Sequence, residues 1–204
     1  MSHPVTLNDI RRAVGRPPKV LDYPDQPMAA VAAVLTGDLQ LLFIKRADYP
    51  GDPWSGHISF PGGRVEDDDP SPRHAALRET QEELSLDLTD AEFIGRLDDL
   101  PTLGGLPPMV IRPFVFTIPT LPALRPNGEV ASTHLLSLET LLSDLGRRPF
   151  QFAHRDSDYT LPCVEFGGHR LWGLTLLFVD DLLHRLDGRG RGLERIETQE
   201  RTPR

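Results

Sequence analysis

Phe60-Pro61-Gly62-Gly63-Arg64-Val65-Glu66-Asp67-Asp68-Asp69-Pro70-Ser71-Pro72-Arg73-His74-Ala75-Ala76-Leu77-Arg78-Glu79-Thr80-Gln81-Glu82-Glu83-Leu84-Ser85 is the stretch on which the reading of the chain turns. Its second half predicts a helix from Pro72 to about Ser85, with Ser71 as the N-cap and Pro72 at the first helical position, where a missing N–H costs little. Glu79, Glu82 and Glu83 then stand at i, i+3 and i+4 within an arc of roughly 100°. Like charges at these offsets repel by about 0.2 to 0.5 kcal/mol per pair, and a bound cation turns that repulsion into affinity. Leu77 and Leu84 fall on the far side of the wheel, so the apolar side is expected to pack down and the carboxylates to form an exposed shelf. A glutamate face opposite leucines is otherwise a solvated surface. The glycine loop before it favours a metal site, because Gly62-Gly63 lets the backbone approach closely and a glycine carbonyl there can add an oxygen ligand. Arg78 can orient a neighbouring carboxylate through a bidentate pair. Mg²⁺ takes a few carboxylates together with waters and substrate phosphates, and several ions in such a cluster can polarise a diphosphate and activate water.

The surrounding chain limits what this site serves. With 204 residues, one domain is expected, large enough for a sizeable core. The net charge of −8 and a pI near 5.3 argue against nucleic acid or a membrane surface as partner, both of which need basic excess. Cys163 is the single cysteine, so no intramolecular disulfide forms and it reads as a buried thiol. The first residues lack a charged n-region and an apolar h-region, and no apolar run approaches a bilayer span. A cytoplasmic location is the expectation.

Outward from the glutamates, Thr6 caps a short helix that Pro17-Pro18 stops. Met28 to Leu35 and Leu39 to Arg46 form a hairpin around Gly37-Asp38. Ile58 to Phe60 is a short strand ending at the double glycine. Strands are predicted at Glu92 to Leu97, Met109 to Ile118, Val130 to Leu136, Gln151 to Ala153 and Tyr159 to Phe166. Pro113 implies that the second of these is an edge strand or carries a bulge. Leu138 to Leu145 reads as a short helix and Leu174 to Leu186 as a closing amphipathic one. Residues 188–204 are polar, arginine-rich and expected to be poorly ordered.

Gly63, five residues, Asp69, eight residues, Arg78-Glu79, two residues, Glu82-Glu83, one residue and Ser85 together resemble the signature of the Nudix hydrolases. Asp69 stands where that family has glutamate, the spacer is one residue longer, and Ser85 replaces a glycine. The resemblance implies an α+β fold, the Nudix α/β/α sandwich with a mixed β-sheet between helices. It places the Nudix domain at 28–187, after an N-terminal helix and arm at 1–27 and before a tail at 188–204. It implies Mg²⁺ or Mn²⁺ held by Gly63, Glu79, Glu82 and Glu83, with Arg78, Glu79, Glu82 and Glu129 in the catalytic set. Glu129 resembles a late-loop glutamate that completes such sites, or else is an exposed turn residue. The general base and the role of Asp69 stay open.

Leu41-Leu42-Phe43-Ile44-Lys45-Arg46-Ala47 and Gly56-His57-Ile58-Ser59-Phe60-Pro61-Gly62-Gly63 are similar to the extra motif of the coenzyme A pyrophosphatase branch. Here the loop is one residue longer, and Gly51-Asp52 stands where that branch has an arginine. The implied reaction is hydrolysis of the diphosphate of coenzyme A or a derivative to 3′,5′-adenosine bisphosphate and 4′-phosphopantetheine. Lys45, Arg46, Arg64 and Arg112 are the candidate cations for its phosphates. His57 either contacts a phosphate or fixes its loop, and Trp172 reads as a core anchor. The alternatives are another nucleoside diphosphate derivative, such as ADP-ribose or NADH, and a module that senses a nucleotide without cleaving it. The chain is expected to act as a monomer or homodimer.

Overall fold

The computed structural model describes residues 4–23, 26–52, 54–102, 108–154 and 157–189. Its centre is the alanine-rich strand β1 (Met28–Thr36), which follows helix α1 (Leu7–Val14). Strand geometry alternates side chains, and here both sides are buried: Ala30, Ala32 and Val34 face one layer, Ala33 and Leu35 the other. β2 (Gln40–Arg46) folds back as a hairpin, Leu35 opposite Leu41. β3 (Ile58–Ser59) extends the edge of β2, and β4 (Gly62–Arg64) returns to β1 with Val31 opposite Gly62 and Ala30 opposite Gly63.

After helix α2 (Pro72–Leu84) come β5 (Glu92–Arg96), β6 (Leu100–Pro101) and β7 (Val110–Ile118). β7 lies parallel to β1, from Met28 opposite Val110 to Thr36 opposite Ile118. β8 (Val130–Ser137) pairs with β2 and completes a mixed eight-stranded sheet. Helix α3 (Leu138–Leu142) leads into an antiparallel sheet of β9 (Arg147–His154), β10 (Ser157–Phe166) and β11 (His169–Trp172), and helix α4 (Gly173–Asp187) closes the described chain.

The layers follow from which face each helix covers. α2 places Ala75, Ala76 and Leu84 against Ala30, Ala32, Leu42 and Phe114. On the other face Ile10 and Val14 of α1 and Val179 and Leu182 of α4 meet Leu35, Phe43 and Val115. This is the α/β/α sandwich with a mixed sheet that the resemblance implies. Thr6 caps α1 as expected, in a reciprocal box with Asp9. No helix among the described residues is long and apolar enough to cross a membrane.

Three expectations change. β7 is not an edge strand, since β1 and β5 flank it, although its pairing with β5 does carry a register shift, between Phe93 and Gly95. Pro113 is accommodated because Leu97 N–H donates to its carbonyl. A strand residue directs its C=O and its N to one side, so the missing donor faces the break between β5, which ends with Arg96 opposite Phe114, and β6, which begins with Leu100 opposite Ile111. The double glycine does not end a strand but forms β4. Ser71 is the N-cap of α2 by position, yet its hydroxyl engages His74 Nδ1 at 2.9 Å and makes no cap bond. The predicted tail lies outside the described residues from 190 onward.

Candidate active site

α2 lies close over β4 because small residues line the contact. A Cβ on Gly63 would stand 2.4 Å from the Glu79 carboxyl carbon, and one on Gly62 would stand 2.3 Å from the Ala30 carbonyl oxygen. Gly62, at φ 143° against backbone, excludes any side chain, whereas a side chain at Gly63 would displace the Glu79 carboxylate. The same proximity corrects the expectation of an exposed shelf. Only Glu82 projects outward, its side chain 54% exposed. Glu79 is 16% exposed, and Glu83 is buried at 2% beside Thr80 and Leu84. The buried stripe of the helix runs through Ala76, Thr80, Glu83 and Leu84, a helical i, i+4, i+7, i+8 series that happens to include a carboxylate.

Burial has the expected electrostatic effect. Loss of water pushes Glu83 up to about 8, opposed by a hydrogen bond from Gly62 N–H at 2.9 Å and by the charge of Arg46, with Glu79 and Glu129 adding to the rise. Glu79 is raised as well, first by burial and then by Glu82 and Glu129, against the pull of Arg78.

Arg78 organises this face. Its Nε and Nη2 donate to the two oxygens of Asp69 at 3.1 and 2.9 Å, its Nη1 donates to Glu79 at 2.9 Å, and Nη2 also reaches the Arg64 carbonyl at 3.0 Å. Asp69, held below the ordinary carboxylate range chiefly by that guanidinium, is thus the anchor of Arg78 despite the longer spacer.

One further segment closes on the carboxylates. The loop before β8 donates Arg125 N–H to the Leu84 carbonyl and Asn127 N–H to the Glu83 carbonyl, both at 2.9 Å. It therefore caps the end of α2. Asn127 Oδ1 accepts from Glu129 N–H at 2.9 Å, and the Glu129 carbonyl accepts from Ala47 N–H at 2.8 Å. Glu129 is exposed and electrostatically coupled to Glu79 and Glu83. Nothing in the sequence around Arg125 and Asn127 signals this docking, because it runs through the backbone.

The candidate cations are placed differently from one another. Arg46 comes near Glu83, but its Nε and Nη2 are bound to Asp52 at 3.1 and 2.8 Å. Lys45, one residue earlier, points to the other face of β2, where its charge helps to lower His134. His57 is lowered mainly by burial, and its ring meets Trp172 with centroids 4.7 Å apart. Trp172 in turn contacts Phe150 and Phe152. Arg64 is exposed. Arg112 is not a free phosphate cation, since it forms a two-pronged pair with buried Asp99 at 3.0 and 2.7 Å.

The donor set suits a hard divalent cation, being carboxylates and a glycine carbonyl with no thiolate or imidazole. Two of those carboxylates carry raised values that a cation would reverse. Among the described residues no three acidic, histidine or cysteine side chains gather closely enough to enclose an ion.

The NUDIX domain family matches residues 26–156. The mitochondrial coenzyme A diphosphatase NUDT8 of Mus musculus is 33% identical over 168 residues, which cover 74% of this chain and 75% of that protein. The Homo sapiens protein of the same name is 32% identical over 157 residues, covering 72% of this chain and 62% of that one. A Nudix hydrolase NudL of Enterobacter sp. is 30% identical over 188 residues, covering 89% and 95% respectively.

Proposed function

The chain belongs to the Nudix hydrolases and acts as a pyrophosphohydrolase, and on that premise we propose that its substrate is coenzyme A or a derivative, cleaved at the diphosphate. The observation that carries this reading is the placement of Arg46, from the upstream motif, within electrostatic reach of Glu83. The similarity to the two proteins named as coenzyme A diphosphatases supports it.

In this proposal Glu79, Glu82, Glu83 and the Gly63 carbonyl hold Mg²⁺ or Mn²⁺. Such a cation supplies Lewis-acid stabilisation of diphosphate charge and activates water. Arg78 fixes the Glu79 carboxylate through its anchor on Asp69. Glu129, carried in from the opposing loop, is a second ligand or the base that accepts the proton of the attacking water. Arg46 and Arg64 remain candidates for substrate phosphates, with His57 setting the loop; Lys45 lies on the other face of β2 and Arg112 stays in its pair with Asp99.

One observation favours a second reading. Asp52 occupies the Arg46 guanidinium at the place where the coenzyme A branch has an arginine, which weakens the case for a 3′-phosphate. Dephospho-coenzyme A or ADP-ribose then becomes the better substrate.

Turnover of coenzyme A, dephospho-coenzyme A and ADP-ribose with Mg²⁺ and with Mn²⁺ separates the two. Coenzyme A is expected to lead, and equal or faster turnover of the compounds without a 3′-phosphate rejects it. Glu82→Gln is expected to lower kcat by at least 100-fold on whichever substrate leads, with intact ligand recovered.

A further inference from the structure

A groove of about 550 Å³ opens on the α2 face of the sheet, between the start of α2, β5 and the segment that follows α1. Arg16, Arg73, Arg96 and Arg112 line it, and among the described residues no acidic one does. In a chain of net charge −8 that is a marked local reversal.

Of the neighbouring carboxylates, Glu92 and Asp98 are engaged outside the groove, and Asp99 is taken up by Arg112 within it. Glu92 binds Arg11 at 2.7 Å, Asp98 binds Arg185, and Asp99 binds Arg112 at 2.7 Å. Arg16, Arg73 and Arg96 make no ion pair or hydrogen bond from their side chains to any described residue. Arg73 Cζ lies 5.1 Å from the centroid of the Phe93 ring, which covers one face of the guanidinium and leaves its N–H edge free. Arg96 is half-buried, opposite Phe114 on the same face of the sheet. Burial and the adjacent Arg112 charge lower its proton affinity, with Asp99 opposing. A half-buried arginine that bonds no carboxylate, beside a second arginine whose carboxylate is already taken, is costly unless an anion joins it.

The groove is separate from the glutamates. Gly63, Ala30 and Arg112 are in register across β4, β1 and β7. At a strand spacing of about 4.8 Å, roughly 10 Å separates the backbone beneath Glu79 from that of Arg112. Glu79 overhangs β4, whereas Arg96 and Arg112 lie beyond β1.

We propose that this groove is a second anion site, which binds a small molecule carrying one or more phosphate groups, through the guanidiniums of Arg73, Arg96 and Arg16 and without a divalent cation. Guanidiniums suit phosphate through paired N–H donors, and the independence from metal distinguishes the site from the carboxylate cluster.

Calorimetric titration of the full chain with inorganic pyrophosphate in excess EDTA tests this. Binding is expected in wild type, weakened at least tenfold in Arg96→Gln and in Arg73→Gln, and unchanged in Glu82→Gln. Arg16 is exposed, so Arg16→Gln provides a variant whose fold is not at issue and is expected to weaken binding as well. The proposal is overturned if wild type does not bind without metal, if the arginine variants bind like wild type, or if Glu82→Gln abolishes binding.

Discussion

Glu83 is a carboxylate taken out of water, relieved by one backbone N–H and by the charge of Arg46. Its value of about 8 in the folded chain lies above the ordinary 4.5, so between those limits the native chain holds a proton that the unfolded chain has released. Stability from this group is therefore present at low pH and lost as pH rises through that window; the raised value of Glu79 acts with the same sign. In EDTA the melting temperature is expected to fall from pH 6 to pH 8.5, and to fall less in Glu83→Gln. A profile identical in the two proteins would count against the assignment. Since the cation displaces the proton, metal affinity should rise over the same range. Ser85, two residues on, ends α2 in the left-handed region with φ of 54°, where a side chain is strained. Ser85→Gly is expected to stabilise the protein by about 0.5 to 1 kcal/mol in chemical unfolding, the gain in backbone strain exceeding the entropy lost. At this scale the sequence revealed which residues are chemical, but not their protonation or partners. That Asp69 binds Arg78 and Asp52 binds Arg46 depends on distances no spacing rule contains.

α2 is the element that turns these residues into a site, and it is held at both ends. Asp69 holds Arg78 from the loop before it, and the Arg125 and Asn127 N–H groups hold the last carbonyls. Asp69→Asn keeps the size of the anchor and removes its charge. It is expected to lower kcat about 10- to 100-fold with little change in KM or far-UV circular dichroism. An equal loss in KM alone would place Asp69 in substrate binding instead. The helix itself was legible, because Pro72 and the glutamate spacing are local signals. So were β1, β2 and the long α4, whose apolar patterns are continuous. β4, β6 and β11 were not, since strands of two to four residues are defined by partners far along the chain. β9 begins at Arg147 rather than Gln151 for the same reason, and α3 ends at Leu142, three residues before the apolar run does. The exposed shelf failed because a wheel diagram shows which side is apolar but not that a glycine strand covers the polar one.

At the scale of the molecule, the sheet joins two distant parts of the chain through one parallel contact. Ala29 stands opposite Ile111, so the β1–β7 ladder closes a loop of roughly 80 residues that contains β2 to β6 and all of α2. Closing such a loop costs entropy before any contact repays it, and non-local, parallel pairing slows folding. The layer on which α2 rests includes Phe114 and Phe116 of β7, which means the carboxylates have no complete seat until that closure is made. Refolding from denaturant, followed by both circular dichroism and product release, is expected to restore hydrolysis only in the slowest phase. Early return of activity would show that α2 and β4 dock without β7. The parallel β1–β7 ladder thus sets an order of events in time: a newly made chain that has formed its first hairpin and its glutamate helix is still chemically silent, and cannot become a hydrolase before β7 arrives.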